Sequence, residues 1–258
     1  SLDLTGLDPD DNQPWDFSDP KKRAKAIDKV LSKESLLVIG SPMCNAFSRL
    51  MGRNWKRMDP EKKEKMWNDG ITHLNFCMEL YQIQIDNGMY FLHERPYSAL
   101  SWKQESVERI LANPGVQMVR GDMCAFGMWQ ESEEGKQLVM KPTGFMTNSE
   151  CIAKELGKKC DGKRQHIKLL NGRAKRAEVY PDEMCFRILK GLIEQMKKDG
   201  RIQEGCIGSV MREEESENAE QMQQAWDDVT GEELDGRKSD MEDTEKRRRW
   251  PEKKGYGM

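Results

Sequence analysis

"LLVIGSPMCNAFS", Leu36 to Ser48, carries an unbroken apolar run into a Gly-Ser-Pro turn and then a cysteine. A continuous rather than alternating run reads as a strand buried on both faces, and such strands belong to parallel sheets. Gly40 and Pro42 shape the turn, and Cys44 stands just beyond it. Ser41, Asn45 and Ser48 surround the thiol with polar groups. Most free cysteines are small buried hydrophobes, and the polar setting is what favours a nucleophile here.

The neighbouring segments extend the pattern in both directions. Upstream, "DPKKRAKAIDKVLSKE" places Ala24, Ile27, Val30 and Leu31 at helical spacing, with Asp19 as N-cap and Pro20 in the first turn. Leu2 to Thr5 reads as a strand already in progress. Downstream, a long helix is expected from Pro60 to about Asp86, with the stripe Trp67, Ile71, Leu74, Met78, Tyr81 and Ile85, and Asn87-Gly88 as its stop. "MYFLHERP" is the next strand. "VQMVRGD", "KQLVMKPT" and "GFMTNS" follow as further strands, and "VYPDEMCFRILKGLIEQMKKDG" as the last helix. Strands alternating with helices imply βαβ units: an α/β fold with a mostly parallel sheet covered on both faces.

Bulk properties set the frame. The chain has 258 residues and a formal net charge of -3, with 36% hydrophobic and 34% charged residues. That composition is apolar-poor, so part of the chain is expected to stay unpacked. Residues 1–200 read as the α/β domain. Residues 201–258, with "REEESENAEQMQQ" and "EKRRRWPEKK", read as a disordered, charged tail. Seven cysteines without a spaced framework, and no apolar run of membrane-spanning length, point to a reduced intracellular protein, nuclear or cytoplasmic.

In open parallel sheets, ligands gather at the carboxyl ends of the strands. Two such ends carry chemistry: "GSPMCNAFS" with Cys44, and "FLHERP" with Glu94. A surface ion pair is the plain alternative for Glu94. Cys124, Cys151, Cys160 and His166 are four candidate zinc ligands, but no C-x-x-C knuckle is present and no metal is expected.

Together the two strand ends resemble one family. "GSPMCNAFS" is similar to the catalytic loop of DNA (cytosine-5)-methyltransferases, and "YFLHERPYSAL" to their ENV motif. "CAFGM", "KPTGFMTNS" and "NGRAKRAEVYPDEMCFRIL" resemble later segments of divergent, phage-like members. The resemblance covers about Leu2 to Lys198. It implies a Rossmann-like S-adenosylmethionine-dependent core, DNA as partner, Cys44 as the thiol that adds to a flipped cytosine, and Glu94 as the acid at its ring nitrogen. It implies base or phosphate contacts from Ser48, Arg95, Lys141 and Thr143, and cofactor contacts from Asp3, Asp16 and Pro42. The glycine-rich strand-loop that cradles such a cofactor should precede Leu2, so a core lacking its first βα unit is expected. Met43 stands where the family has a second proline, and His93 and Arg95 flank Glu94. "AWDDVTGEELDGRK", Ala225 to Lys238, resembles a connector in copia-type retroelement polyproteins. Two functions therefore stay open: a methyltransferase-like enzyme, and a non-catalytic polyprotein segment that retains the fold and some nucleic-acid affinity.

Overall fold

The computed structural model of the chain describes residues 2–48, 51, 55–133, 135–169 and 173–202. Contacts divide the chain into two units, Ser1–Arg201 and Ile202–Met258. The charged tail and the copia-like connector lie outside the described residues.

Helix α1 (Pro20–Ser32) starts where expected: the Asp19 carboxylate accepts the Lys21 N–H at 2.8 Å, and Pro20 fills the first turn, where no N–H is needed. Strand β1 (Leu37–Gly40) follows. The crossover is α2 (Pro60–Asp86), capped by Asp59 and ended at Asn87, with Gly88 in the left-handed region at φ 64°. Its stripe is largely the expected one. Leu74, Met78 and Tyr81 are buried, Ile71 and Ile85 half-buried, and Trp67 sits at the exposed margin. Strand β2 (Tyr90–Pro96) then lies beside β1 in parallel register, Leu37 opposite Tyr90 and Gly40 opposite His93.

After α3 (Glu105–Leu111) and β3 (Gln117–Asp122), a 3-10 turn at Met123–Phe126 leads into a hairpin of β4 (Trp129–Ser132) and β5 (Gly135–Val139). Strand β6 (Pro142–Thr147) comes next, then α4 (Glu150–Leu156), β7 (His166–Ile167), the short α5 (Arg173–Arg176) and α6 (Asp182–Lys198). One sheet has the order β1-β2-β6-β3, the other β4-β5-β7.

The sheets are mixed, which corrects the expectation of a mostly parallel one. In the larger sheet only β1 and β2 are a parallel pair, since β6 runs against both β2 and β3. The reason is the connection. A parallel return needs a crossover of a dozen or more residues. Residues 123–141 are used instead for a 3-10 turn and a hairpin, so the chain re-enters the sheet at the end it left and runs back. A second correction concerns β1. It is an edge strand among the described residues, and Ile39 is 46% exposed rather than buried. A third concerns the start: Leu2–Thr5 is a turn, not a strand, because the Asp3 carboxylate gathers the N–H groups of Thr5 and Gly6.

Side-chain alternation puts a core on each face of the larger sheet. Phe91 and Met146 point to α2 and α3, where they join Phe47, Leu74, Met78, Tyr81, Val107 and Ile110. Leu92 and Phe145 point the other way, to Met123, Ile152, Leu156, Met184 and Ile188 beneath α4 and α6. Helices on both faces leave the strand ends as the open region, as in other α/β sheets.

Candidate functional site

At the carboxyl end of β2 the apolar alternation stops and three polar residues follow in succession. His93, Glu94 and Arg95 are all buried, at 0%, 6% and 0% exposure. Buried charges are expensive unless paired, and these are thinly paired. Arg95 lies over the Phe47 ring and donates Nη1 to the Met43 carbonyl at 2.8 Å, while its Nε and Nη2 have no hydrogen-bond partner. Lys141 Nζ stands 3.5 Å from Glu94 Oε1. That is an ionic contact without hydrogen-bond geometry, and Oε1 is otherwise unsatisfied. His93 takes its one bond at Nδ1, from or to the Tyr81 hydroxyl at 3.0 Å.

The Cys44 loop rests directly on this segment. Residues 41–44 run from the end of β1 to the 3-10 turn Asn45–Phe47, and the Arg95–Met43 bond ties the residue before the cysteine to the residue after the acid. Cys44 itself is half-buried. It is among the groups that favour the charged form of Arg95, against the burial that lowers it. On the opposite face of the sheet Tyr180 bonds Ser41, and its hydroxyl is raised first by burial and then by the Glu94 carboxylate beside it. Thus Ser41 and Glu94 share one tyrosine, and Met43 and Arg95 share one bond.

Lys141 and Thr143 come to the same place. Lys141 also donates to the Ala177 carbonyl at 3.0 Å, and Thr143, buried in β6 opposite Pro96, donates to the Lys141 carbonyl. Pro42 and Ser48 are half-buried in the Cys44 loop. Asp3 and Asp16 lie in the N-terminal segment, where each closes its own turn. Asp3 Oδ1 accepts from Thr5 and Gly6, and Asp16 Oδ1 from both the N–H and the hydroxyl of Ser18.

Two clefts border the group. One, of about 280 Å³, lies between the Cys44 loop and α2, lined by Met43, Asn45, Ala46, Lys62, Lys65 and Met66 among others. The second, of about 380 Å³, is lined by Tyr180, Phe126, Trp129 and Asp182 among others. Neither Cys44 nor Glu94 lines either cleft, so the shared crevice expected for them is not formed by these two clefts. Tyr180 and Tyr81 are the site residues that sequence reasoning missed. Tyr81 read as part of the apolar stripe of α2 and Tyr180 only as part of the segment before the last helix, and the buried polar run gives their hydroxyls a role.

His93 carries a pH signature. Burial, and secondarily Arg95, hold it well below its ordinary value. The unfolded chain therefore binds a proton that the folded chain refuses, and stability falls as pH drops below about 6.5, with a slope approaching about 1.4 kcal/mol per pH unit. Carboxylates held low by hydrogen bonds and lysines, such as Asp8 and Asp11, lose their contribution only in stronger acid. Chemical denaturation at pH 7.0 and 5.5 should show the loss, and His93→Phe should remove most of it. An unchanged slope in that variant would assign the loss elsewhere.

Among Cys124, Cys151, Cys160 and His166, three meet. The ligand atoms of Cys124, Cys160 and His166 lie within 4.8 Å of one another, whereas Cys151 stands on α4 near Lys198 and Glu194. No helix among the described residues is long and apolar enough to cross a membrane. No protein-family model, curated protein or solved structure matches this chain.

Proposed function

We propose that the chain is a DNA (cytosine-5)-methyltransferase-like domain whose Cys44 adds to a flipped cytosine while Glu94 attends the ring nitrogen. The observation that carries this reading is the buried His93–Glu94–Arg95 run bonded to the Cys44 loop at the ends of two adjacent parallel strands. Charges left under-paired in the interior are a mark of functional sites rather than of stability. The chemistry follows from the residue types. Cys44 gives up its thiol proton to solvent and its sulfur forms a bond to C6 of the ring, the C5–C6 π electrons shift towards N3, and N3 takes a proton from the protonated Glu94 carboxyl, which is left as the carboxylate beside Lys141. Lys141 holds that carboxyl, and Arg95 holds the loop that bears the thiol. Lys62 and Lys65 place cations beside the same loop, where a phosphate backbone would run.

S-adenosylmethionine, implied by the resemblance, supplies the methyl group in such reactions. Asp3 and Asp16 each spend Oδ1 on closing a local turn, and nothing in their geometry forms a cradle for it. No step is derived through it. The same observation favours the second reading, a non-catalytic segment of a copia-type polyprotein that binds nucleic acid without turnover.

Duplex DNA with 2-pyrimidinone at the target position separates the two. The first reading expects a denaturation-resistant adduct that is absent in Cys44→Ser and slowed by about 10²–10⁴ in Glu94→Gln. DNA binding with no adduct, or an adduct that persists in Cys44→Ser, would refute it.

A further inference from the structure

We infer that Cys124, Cys160 and His166 form a zinc(II) site, distinct from the Cys44 group and independent of its reading. The three residues come from three segments: Cys124 lies 36 residues before Cys160, and His166 six residues after it. Cys124 is in the 3-10 turn after β3, Cys160 in the irregular segment that follows α4, and His166 in β7. Their ligand atoms nevertheless converge within 4.8 Å, and Cys160 Sγ stands 3.4 Å from His166 Nε2. Bonds of about 2.3 Å to sulfur and about 2.0–2.1 Å to nitrogen set tetrahedral ligand atoms roughly 3.5–3.8 Å apart. Small side-chain rotations therefore close the set around one ion.

The backbone around Cys160 is set for a ligand. The Gly162 N–H points at Cys160 Sγ at 3.3 Å, with Gly162 in the left-handed region at φ 71°. The Cys160 N–H is itself fixed by Asp122 Oδ2 at 2.9 Å, and Arg120 holds the same carboxylate. Such outer contacts orient the ligands of metal sites. Cys124 is buried, so its sulfur faces Cys160 and His166 away from bulk solvent. A soft, tetrahedral pair of sulfurs with one imidazole selects zinc over the hard cations. Binding releases two thiol protons to solvent, and the neutral His166 ring ligates through Nε2. The fourth position falls to water, since Asp122 is committed to Arg120 and Cys160. The ion would pin the long segment after α4 to the end of β3, joining the two sheets at β7.

The full chain, purified without chelator, is expected to contain one zinc per molecule. Replacement by cobalt(II) should give the near-ultraviolet thiolate-to-metal charge-transfer band, which needs no variant and so does not depend on a mutant's folding. Cys160→Ser and His166→Gln should weaken zinc binding at least about 100-fold, and Cys151→Ser should leave it unchanged. The inference is overturned by substoichiometric zinc after incubation with the metal, by a cobalt spectrum lacking the thiolate band, or by zinc retained in Cys160→Ser. It is equally overturned by a Cys124–Cys160 disulfide in the non-reduced peptide map of protein purified under reducing conditions.

Discussion

Substituting Lys141 by methionine should destabilise the fold by about 3–5 kcal/mol, the range for breaking a buried ion pair by removing one partner. Glu94 is 8% exposed at its side chain and Lys141 18%, so solvent screens little of the contact. Methionine keeps the length of the lysine stem and deletes the ammonium. The Glu94 carboxylate then faces Tyr180 and the sheet with no nearby cation on its side, and the Ala177 carbonyl loses its donor. The second substitution tests the cause. Lys141→Met with Glu94→Gln removes both charges and should recover most of the loss, because replacing both members of a buried pair is far milder than orphaning one. Urea unfolding of the four proteins of this cycle gives the coupling. If Lys141→Met costs the same in the parent and in the Glu94→Gln variant, Lys141 acts through packing alone.

Gly121→Ala should be nearly as damaging, by about 3 kcal/mol, or roughly 6–12 °C in Tm. A methyl group on Gly121 overlaps the Leu156 carbonyl oxygen and stands 2.9 Å from Cε2 of Phe145 and 3.1 Å from Cε2 of Phe126. The carbonyl cannot swing aside, because it accepts the Lys158 N–H at 2.8 Å where α4 ends. The Lys158 carbonyl in turn accepts the Asp122 N–H at 2.8 Å. The absent side chain thus lets the end of α4 sit on β3, and that approach places Cys160 over Asp122. Calorimetry on the variant reads the loss of stability, and a zinc content that falls with it would report displacement of the Cys160 segment. A Tm within about 2 °C of the parent would show that β3 and α4 part easily.

Much of the scaffold was legible because its signals are local. Asp19-Pro20 and Asp59-Pro60 announce helix starts through atoms of neighbouring residues, and the α2 stripe is a matter of spacing. The pairing of Leu37–Gly40 with Tyr90–Pro96 follows from a βαβ rhythm that leaves few alternatives. Other features depend on where the chain returns. "GFMTNS" reads as a buried strand in either direction, and nothing local says that it runs against both neighbours. Strands β4 and β7 are short, and their pairing supplies what their composition lacks. "LDLT" looked like a strand because its apolar residues outweighed the turn that Asp3 closes. For the site, residue types and strand ends singled out Cys44 and Glu94, and the resemblance added Arg95 and Lys141; the fold ties Arg95 to the Cys44 loop and sets Lys141 beside Glu94. The meeting of Cys124 with Cys160 and His166 was hidden by the 36 residues before Cys160, with the six-residue spacing of Cys160 and His166 and the Asp-Gly turn between them as the local hints.

The position of β6 also sets a clock. β1 and β2 can pair as soon as residue 96 has been made, but β3 has no strand partner in its sheet until β6 slides in between. At roughly 5–20 residues per second, the stretch from Asp122 to Thr147 takes on the order of one to five seconds to synthesise. For that interval β3 and the exposed flank of β2 await one segment, and the sheet is closed last at its middle, by insertion.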